Sequence, residues 1–358
     1  MIFPNWEDLK RPKHNFLAMR ILIISPTQSG IGGIAQHVTG FVNFLQKKGH
    51  EIDIISSENT FTIPIKGLKN PSFMISSFLK TKFQKKYDIV HAQNIASSLA
   101  MKNVRGKKIL SLHGEFSKQI YFLHGDTAGK VSSKLEKKAL TWADAITVQN
   151  KEMFEKYKKK GHRVFYVPNA IDISSFSQNE DRRYEKQIIY AGRLSKEKGI
   201  LDLLAISHKL DKDIHLLILG TGPEEPHVQE IIKKFSNIHY LGYQPKENTI
   251  KLIRGSDILI QPSLMEGGTS STLLEAMMCK TPIIATVVGG NKETIMHLKT
   301  AFVVKPNTPD EIFQGINELL SEPEKRKMLA KNAFEVVQNY DWEHVGQKYL
   351  EIYNMLLR

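Results

Sequence analysis

The sequence predicts an α/β protein built from two doubly wound domains, each a parallel sheet covered by helices on both faces. Three observations carry this. Short runs rich in Ile and Val recur along the chain and alternate with stretches of helical periodicity, the pattern of right-handed βαβ units. Several of these runs are continuously apolar, as strands buried on both faces are. The chain has 358 residues, 41% of them hydrophobic, which is long enough for two cores of ordinary size.

The first domain is expected over residues 19–178, after an N-terminal extension at 1–18 that is polar and charged and lacks the apolar core of a signal peptide. Ile21-Leu22-Ile23-Ile24-Ser25 reads as its first strand. Gly30-Ile31-Gly32-Gly33-Ile34-Ala35 follows and leads into the helical pattern Val38, Phe41, Val42, Leu45, which formally matches the G-x-G-x-x-G/A dinucleotide fingerprint. Glycines that merely permit a tight strand-to-helix turn give the same pattern. Residues 51–56 and 87–92 read as the next strands. Between them, in Lys66 to Lys86, Phe73, Met74, Ile75, Phe78, Leu79 and Phe83 interleave with Lys80, Lys82, Lys85 and Lys86. Such an apolar stripe edged with lysine fits a helix lying on a membrane surface, and equally an ordinary helix facing a core. Residues 108–115 form a strand that places His113 at its carboxyl end, where open α/β sheets bind ligands, although a histidine there is also a common loop residue. Two more strands, 144–149 and 164–169, precede a polar linker from Ser174 to Arg183.

The second domain is expected over 179–340. Its first strand, 187–192, delivers Arg193 and Lys198 to a loop, where a planar guanidinium and a point ammonium charge suit a diphosphate. Strands at 215–219 and 238–243 follow, the first running into Gly220-Thr221-Gly222-Pro223 and the second ending in Gly242 and Tyr243. Asp257 to Pro262 is then a strand, Glu266-Gly267-Gly268-Thr269-Ser270-Ser271 a polar loop, and Thr272 to about Cys279 a helix. Free backbone N–H groups and the positive end of the dipole at that helix start favour a phosphate. Glu266 and Glu275 bracket the site; carboxylates there call for a ligand that also carries hydroxyls. Thr272-Leu273-Leu274-Glu275 also spells a capping box, a purely structural reason for the second glutamate. Strands at 282–285 and 301–304 and helices through Leu320 and Phe334 complete the unit.

Charge is unevenly distributed. Residues 1–178 hold 27 Lys and Arg against 13 Asp and Glu, and the remainder 23 against 24, within a net charge of +13. A basic first half suits an anionic partner such as a membrane surface or a phosphorylated lipid, though surface lysine also serves solubility. The single cysteine, Cys279, rules out an internal disulfide framework and fits a reducing compartment. No membrane span is read from the sequence.

Gly192-Arg193-Leu194-Ser195-Lys196-Glu197-Lys198-Gly199, Leu219-Gly220-Thr221-Gly222-Pro223, and the stretch from Glu266 through Glu275-Ala276-Met277 to Gly289-Gly290 occur together, in order. In these motifs the chain resembles the retaining GT-B glycosyltransferases of family 4, also called glycosyl transferases group 1. Gly32-Gly33, His91, His113 and Val167-Pro168-Asn169-Ala170-Ile171-Asp172 resemble landmarks of that family more loosely.

The resemblance implies two Rossmann-like domains facing a cleft, with a nucleotide sugar held mainly by the second and the acceptor by the first. By the same likeness Arg193 and Lys198 would hold the diphosphate and Glu275 the ribose. Glu266 and the N–H groups of Gly267, Gly268, Thr269 and Ser270 would lie near the sugar or phosphate, with Gly242 and Tyr243 also on the donor side. Gly32 and Gly33 would approach from the opposing domain, and His113 would near the transferred sugar. No metal or cofactor is expected. The expected partners are a UDP-linked donor, a glycan or lipid-linked acceptor and an anionic membrane surface, without nucleic acid, at a cytoplasmic location on the inner face of the membrane. A last helix, 341–358, is expected to cross back to the first domain. The family motif has seven residues between its glutamates, whereas eight separate Glu266 from Glu275, which leaves the role of Glu266 open. Two other readings stand beside this one: a nicotinamide enzyme using the first glycine turn, for which Glu58 is a poor ribose ligand, and a catalytically silent sugar-nucleotide sensor.

Overall fold

A computed structural model describes residues 17–28, 32–65, 67–176 and 178–358. The extension up to residue 16, Gly30 and Ile31 of the first glycine turn, Lys66 of the lysine stretch and Ser177 of the linker lie outside the described residues.

The chain forms two six-stranded sheets in which every pairing between neighbouring strands is parallel. The first contains β1 (Arg20–Ile24), β2 (Glu51–Ile55), β3 (Ile89–Gln93), β4 (Lys107–Leu112), β5 (Ala145–Val148) and β6 (Val164–Tyr166), in the order β2-β1-β3-β4-β5-β6. The second contains β7 (Lys186–Ala191), β8 (Ile214–Leu219), β9 (Ile238–Gly242), β10 (Ile258–Gln261), β11 (Ile283–Thr286) and β12 (Phe302–Val304), in the order β12-β11-β10-β7-β8-β9. The first order begins as flavodoxin-like sheets do, and the second is the dinucleotide-binding order. In both, strand order reverses beside the domain's first strand, between β1 and β3 and between β7 and β10. Such switch points open a crevice at the carboxyl ends of the strands.

Successive strand residues alternate between two apolar clusters. Ile21 and Ile23 face one side of the first sheet, Leu22 and Ile24 the other; in the second sheet Leu216 and Ile218 oppose Leu217 and Leu219. This accounts for the unbroken apolar runs, because both faces are covered. The helices in the first half are α1 (Gly33–Lys47), α2 (Lys69–Thr81), α3 (Ser98–Asn103), α4 (Phe116–Leu140) and α5 (Lys151–Lys159). The remainder are α6 (Ile200–Ala205), α7 (Glu225–Lys234), α8 (Lys246–Arg254), α9 (Ser271–Cys279), α10 (Pro309–Ser321), α11 (Pro323–Val337) and α12 (Trp342–Leu357).

The chain passes between the sheets twice. After β6 it runs through residues 167–185 to β7, and after α11 it returns into α12. The two passages are joined: Ile171 N–H donates to the Tyr340 carbonyl at 2.9 Å, and Ile171 forms a parallel bridge with Asp341. Asp341 caps α12 by accepting from His344 N–H at 2.7 Å. α12 then buries Trp342, Val345, Tyr349 and Tyr353 in the cluster that holds Phe41 and Ile23. The Trp342 ring stacks on Phe41 at 5.7 Å between centroids, and Phe41 meets Tyr349 at 4.5 Å.

Small residues make this docking possible. A Cβ at Gly40 would lie 2.1 Å from the Trp342 indole nitrogen, and one at Gly346 would lie 2.5 Å from the Phe44 ring. Gly40→Ala is therefore expected to destabilise the protein by about 1–3 kcal/mol through overpacking. Chemical denaturation measures this, and an unchanged midpoint would show that α12 does not hold α1 as tightly as the coordinates place it.

Candidate active site in the interdomain cleft

Loops from both switch points converge at one place. On the second domain, the loop after β7 carries Arg193 and Lys198 and is anchored on each side by glycine contacts that exclude a side chain. A Cβ at Gly220 would stand 1.9 Å from the Gly192 carbonyl oxygen, one at Gly222 would stand 2.2 Å from that of Leu194, and one at Gly199 would stand 1.8 Å from that of Pro262. Gly199 sits at φ +69°, a conformation open to glycine at little cost. Leu264 and Met265 N–H donate to the Glu197 carbonyl, so the β7 and β10 loops move as one wall. The Arg193 side chain is exposed and has no partner among the described residues.

Lys198 is engaged. Its Nζ lies 2.7 and 2.8 Å from the two carboxylate oxygens of Glu266, and Ser263 Oγ donates to the same carboxylate at 2.8 Å. The Glu266 side chain is buried and the Lys198 side chain partly so. The carboxylate of Glu266 is thus turned onto the lysine that the family resemblance assigns to the diphosphate.

Glu275 is buried on α9, its Oε1 3.6 Å from Lys246 Nζ on α8, and burial pushes its carboxyl pKa up. The capping box is not formed. α9 begins at Ser271 with Ser270 as N-cap, so Thr272 lies inside the first turn and Glu275 in the second. The expectation for Ser270 N–H is also revised: it donates to Asn291 Oδ1 at 3.0 Å and is not free for a donor sugar. Gly242, at φ +62°, accepts from Gly220 N–H at 2.8 Å, and Tyr243 beside it is half exposed at the edge of the second sheet.

Across the cleft, Gly267 and Gly268 press against the first domain. A Cβ on Gly267 would fall 1.8 Å from the His113 carbonyl oxygen, and one on Gly268 would fall 2.6 Å from Gln149 Oε1. Asn150 Nδ2 donates to the Gly267 carbonyl at 2.6 Å, and Asn169 Nδ2 to that of Thr269 at 3.1 Å. From behind, Gly289 and Gly290 support the loop; Cβ atoms there would meet the Glu266 carbonyl oxygen at 1.8 Å and the Gly268 carbonyl carbon at 2.2 Å. Gly32 caps α1 at φ +125°, and Gly33 at its start is close to Ser271, whose Oγ would stand 3.4 Å from an added Cβ.

His113 has both ring nitrogens occupied. Gln149 Nε2 donates to Nδ1 at 2.8 Å, and Nε2–H donates to Gln93 Oε1 at 2.7 Å, the pattern of a neutral ring. Burial, reinforced by the neighbouring His37 and His91, holds its pKa well below the usual range. Behind it His91 is hydrogen-bonded to Tyr353 and Ser111, each at 2.6 Å, so α12 reaches the underside of the site. His37 bonds Asn169 through Nδ1 at 3.0 Å, while its buried Nε2 has no partner among the described residues. Gln93, Gln149, Asn150, Asn169, Asn291 and His37 were not singled out for these contacts in the sequence. The position of Gln93, Gln149 and Asn150 at strand ends, and the Val167-to-Asp172 landmark that holds Asn169, were the signals that could have pointed to them.

Two family models cover most of the chain: residues 172–336 match glycosyl transferases group 1, and residues 31–175 match glycosyltransferase family 4. An uncharacterized glycosyltransferase of Methanocaldococcus jannaschii is 24% identical, with 91% of this chain and 95% of the relative aligned. Among solved structures, sucrose-phosphate synthase from Thermosynechococcus elongatus superposes with a TM-score of 0.80 at 20% identity, covering 94% of this chain and 98% of that one. Anabaena HepE in complex with UDP and glucose gives 0.72 at 18% identity, covering 94% and 99%.

Two outcomes follow from the geometry. Glu266→Gln removes the counter-charge now held on Lys198 Nζ, so if Lys198 meets a nucleoside diphosphate, as the family resemblance implies, the affinity for added UDP by calorimetry is expected to rise about two- to fivefold, the range of a partly exposed ion pair; unchanged or weaker binding would show that the pair does not compete with the ligand. The histidines set an acid limit. Burial lowers the pKa of His37 to about 4 and that of His91 to about 3, from 6.5. The unfolded chain then binds more protons than the folded one as pH falls from 6.5 towards 4, so stability falls, by up to roughly 1.4 kcal/mol per pH unit for each histidine. Glu275, with its raised pKa, acts in the opposite sense, but it stands against three histidines, since His113 is lowered too. Urea unfolding at pH 7 and pH 5 tests this, and equal stability would refute it.

Proposed function

The chain is a GT-B glycosyltransferase of group 1, and from that premise we propose that it moves a hexosyl group from a UDP-linked sugar to a glycan or lipid-linked acceptor, with retention of anomeric configuration. The observation that carries this reading is the convergence of Arg193, Lys198 and the start of α9 on one switch point, directly opposite the strand ends that hold His113. An unpaired guanidinium, an ammonium held by a displaceable carboxylate and helix N–H groups are three sources of positive potential where a diphosphate would lie. The structural likeness to a protein that binds UDP and glucose supports UDP as the carrier.

In this reading the bond between the anomeric carbon and the diphosphate oxygen breaks as Arg193 and Lys198 take up the growing negative charge, so that no bound metal is required for that task. The acceptor hydroxyl forms the new bond on the face that the diphosphate leaves, and its proton passes to a departing phosphate oxygen. Glu275 takes the ribose hydroxyls, with Lys246 Nζ 3.6 Å from its carboxylate. His113, with its ring held neutral between Gln93 and Gln149, shapes the sugar site without carrying charge. The basic first domain suits an acceptor bearing phosphate, met at the cytoplasmic face of a membrane.

Nucleotide release with UDP-, GDP- and ADP-linked sugars tests donor and activity together. UDP-sugar turnover is expected, with Arg193→Ala and Lys198→Ala each lowering it by about 10²–10³. Turnover unchanged in both variants would remove the phosphate roles, and UDP binding without turnover on any acceptor would favour the silent sensor.

A further inference from the structure

Helix α2 is built the wrong way round for a helix on a water-facing surface. Its inward stripe is Phe73, Ser77 and Thr81, and the last two satisfy their buried hydroxyls on the Phe73 and Phe78 carbonyls at 2.5 and 2.8 Å. The opposite stripe, at the spacing of one helical face, is Leu68, Ile75 and Leu79, all exposed, with Phe83 89% exposed just past the helix end. The loop entering the helix adds to this stripe. Ser76 Oγ donates to the Phe61 carbonyl at 2.6 Å and Ile63 N–H donates to Ser72 Oγ at 2.9 Å, which lays Phe61, 76% exposed, alongside it. Six of the fifteen exposed large hydrophobic residues among those described fall between Phe61 and Phe83. Scattered singly they would need no explanation; gathered on one face they mark a contact surface.

The charges identify the partner. From Asn59 to Tyr87 the chain has no Asp or Glu, and six lysines. Lys69, Lys82, Lys85 and Lys86 have no carboxylate partner among the described residues. A recess of about 260 Å³ opens at the end of the stripe, with Lys80, Phe83 and Lys85 on its walls beside the Arg20–Asp53 ion pair. Apolar side chains flanked by unpaired lysines match the boundary between acyl chains and anionic headgroups. A protein partner would have to bring a matching acidic groove.

We propose that the outer face of α2 with the loop from Phe61 is a docking surface for an anionic lipid bilayer, Leu68, Ile75, Leu79 and Phe83 entering the headgroup region and the lysines pairing with lipid phosphates. The loop leaves β2 at the carboxyl end of the first sheet, where Glu58 accepts from Gln28 N–H at 3.1 Å in the loop after β1. The surface therefore begins at the rim of the cleft and would hold the acceptor side of the site against the membrane. It does not depend on which donor is used.

The test is sedimentation of the full chain with vesicles of phosphatidylcholine alone and with about one third phosphatidylglycerol. Binding to the anionic vesicles only, weakened by 0.5 M salt, is expected. The pair Leu79→Glu with Phe83→Glu, and separately Lys82→Gln with Lys85→Gln and Lys86→Gln, should each lower the partition coefficient at least tenfold. All five side chains are exposed or lie at the exposed helix end, so circular dichroism and nucleotide release without vesicles should match the native protein. Equal partitioning onto both vesicle types, or variants that bind as the native chain does, would overturn the proposal. So would a native dimer by light scattering that Ile75→Glu dissolves, which would give the face to a second copy. Loss of nucleotide release in the native protein with vesicle binding intact would count against the transferase reading alone.

Discussion

The structure depends on a contact that has no room for side chains. Gly267 and Gly268 bring the loop before α9 against the backbone of His113 and the amide of Gln149, with Gly289 and Gly290 packed behind them. Asn150 and Asn169 from the first domain satisfy carbonyls that the contact would otherwise leave buried without partners. A single methyl group at Gly267 would separate the two walls and so shift Arg193 and Lys198 relative to His113. The spacing of the cleft is thereby set by backbone packing, which is stiffer than any arrangement of long side chains.

Within that frame the polar groups differ in availability. Arg193 has no partner among the described residues, Lys198 is matched to Glu266, Glu275 is buried beside Lys246, and His113 is saturated by two glutamines. In the proposed reading a diphosphate has one unopposed cation to meet first and a second that must exchange partners. Glu275 is held on α9 at one end of the loop, and Glu266 at the other end reaches Lys198.

Most of the fold was legible in the sequence, because buried parallel strands write themselves as short apolar runs. All twelve appear within a few residues of their expected positions, and the switch from strand to helical periodicity predicted the winding. α9 was legible for the same reason. The glycines of the loop before α9 were visible as a motif, but their cause was not, since it lies in atoms more than a hundred residues away at His113, Gln149 and Asn150. The asparagines and glutamines that tie the walls together carry no periodicity and no spacing signal. The capping box did not form because α9 begins at Ser271, which places Thr272 inside the first turn. The lysine-edged stripe near α2 was visible, but not which side of the helix faced the core, since hydrophobic periodicity does not give direction and Ser77 and Thr81 are poor markers of an inner face.

The paired passages between the sheets bear on how such a protein can be divided. Ile171 and Asp341 lie side by side, so the polypeptide leaves the first sheet and returns to it through a single two-stranded strap. A cut between residues 178 and 179 yields a front fragment whose α1 surface is stripped of Trp342, Val345 and Tyr349, and a rear fragment that carries those residues as an exposed tail. An exchange of modules between proteins of this architecture must therefore move the last helix with the front half, so the natural unit of recombination is discontinuous in the gene although contiguous in space.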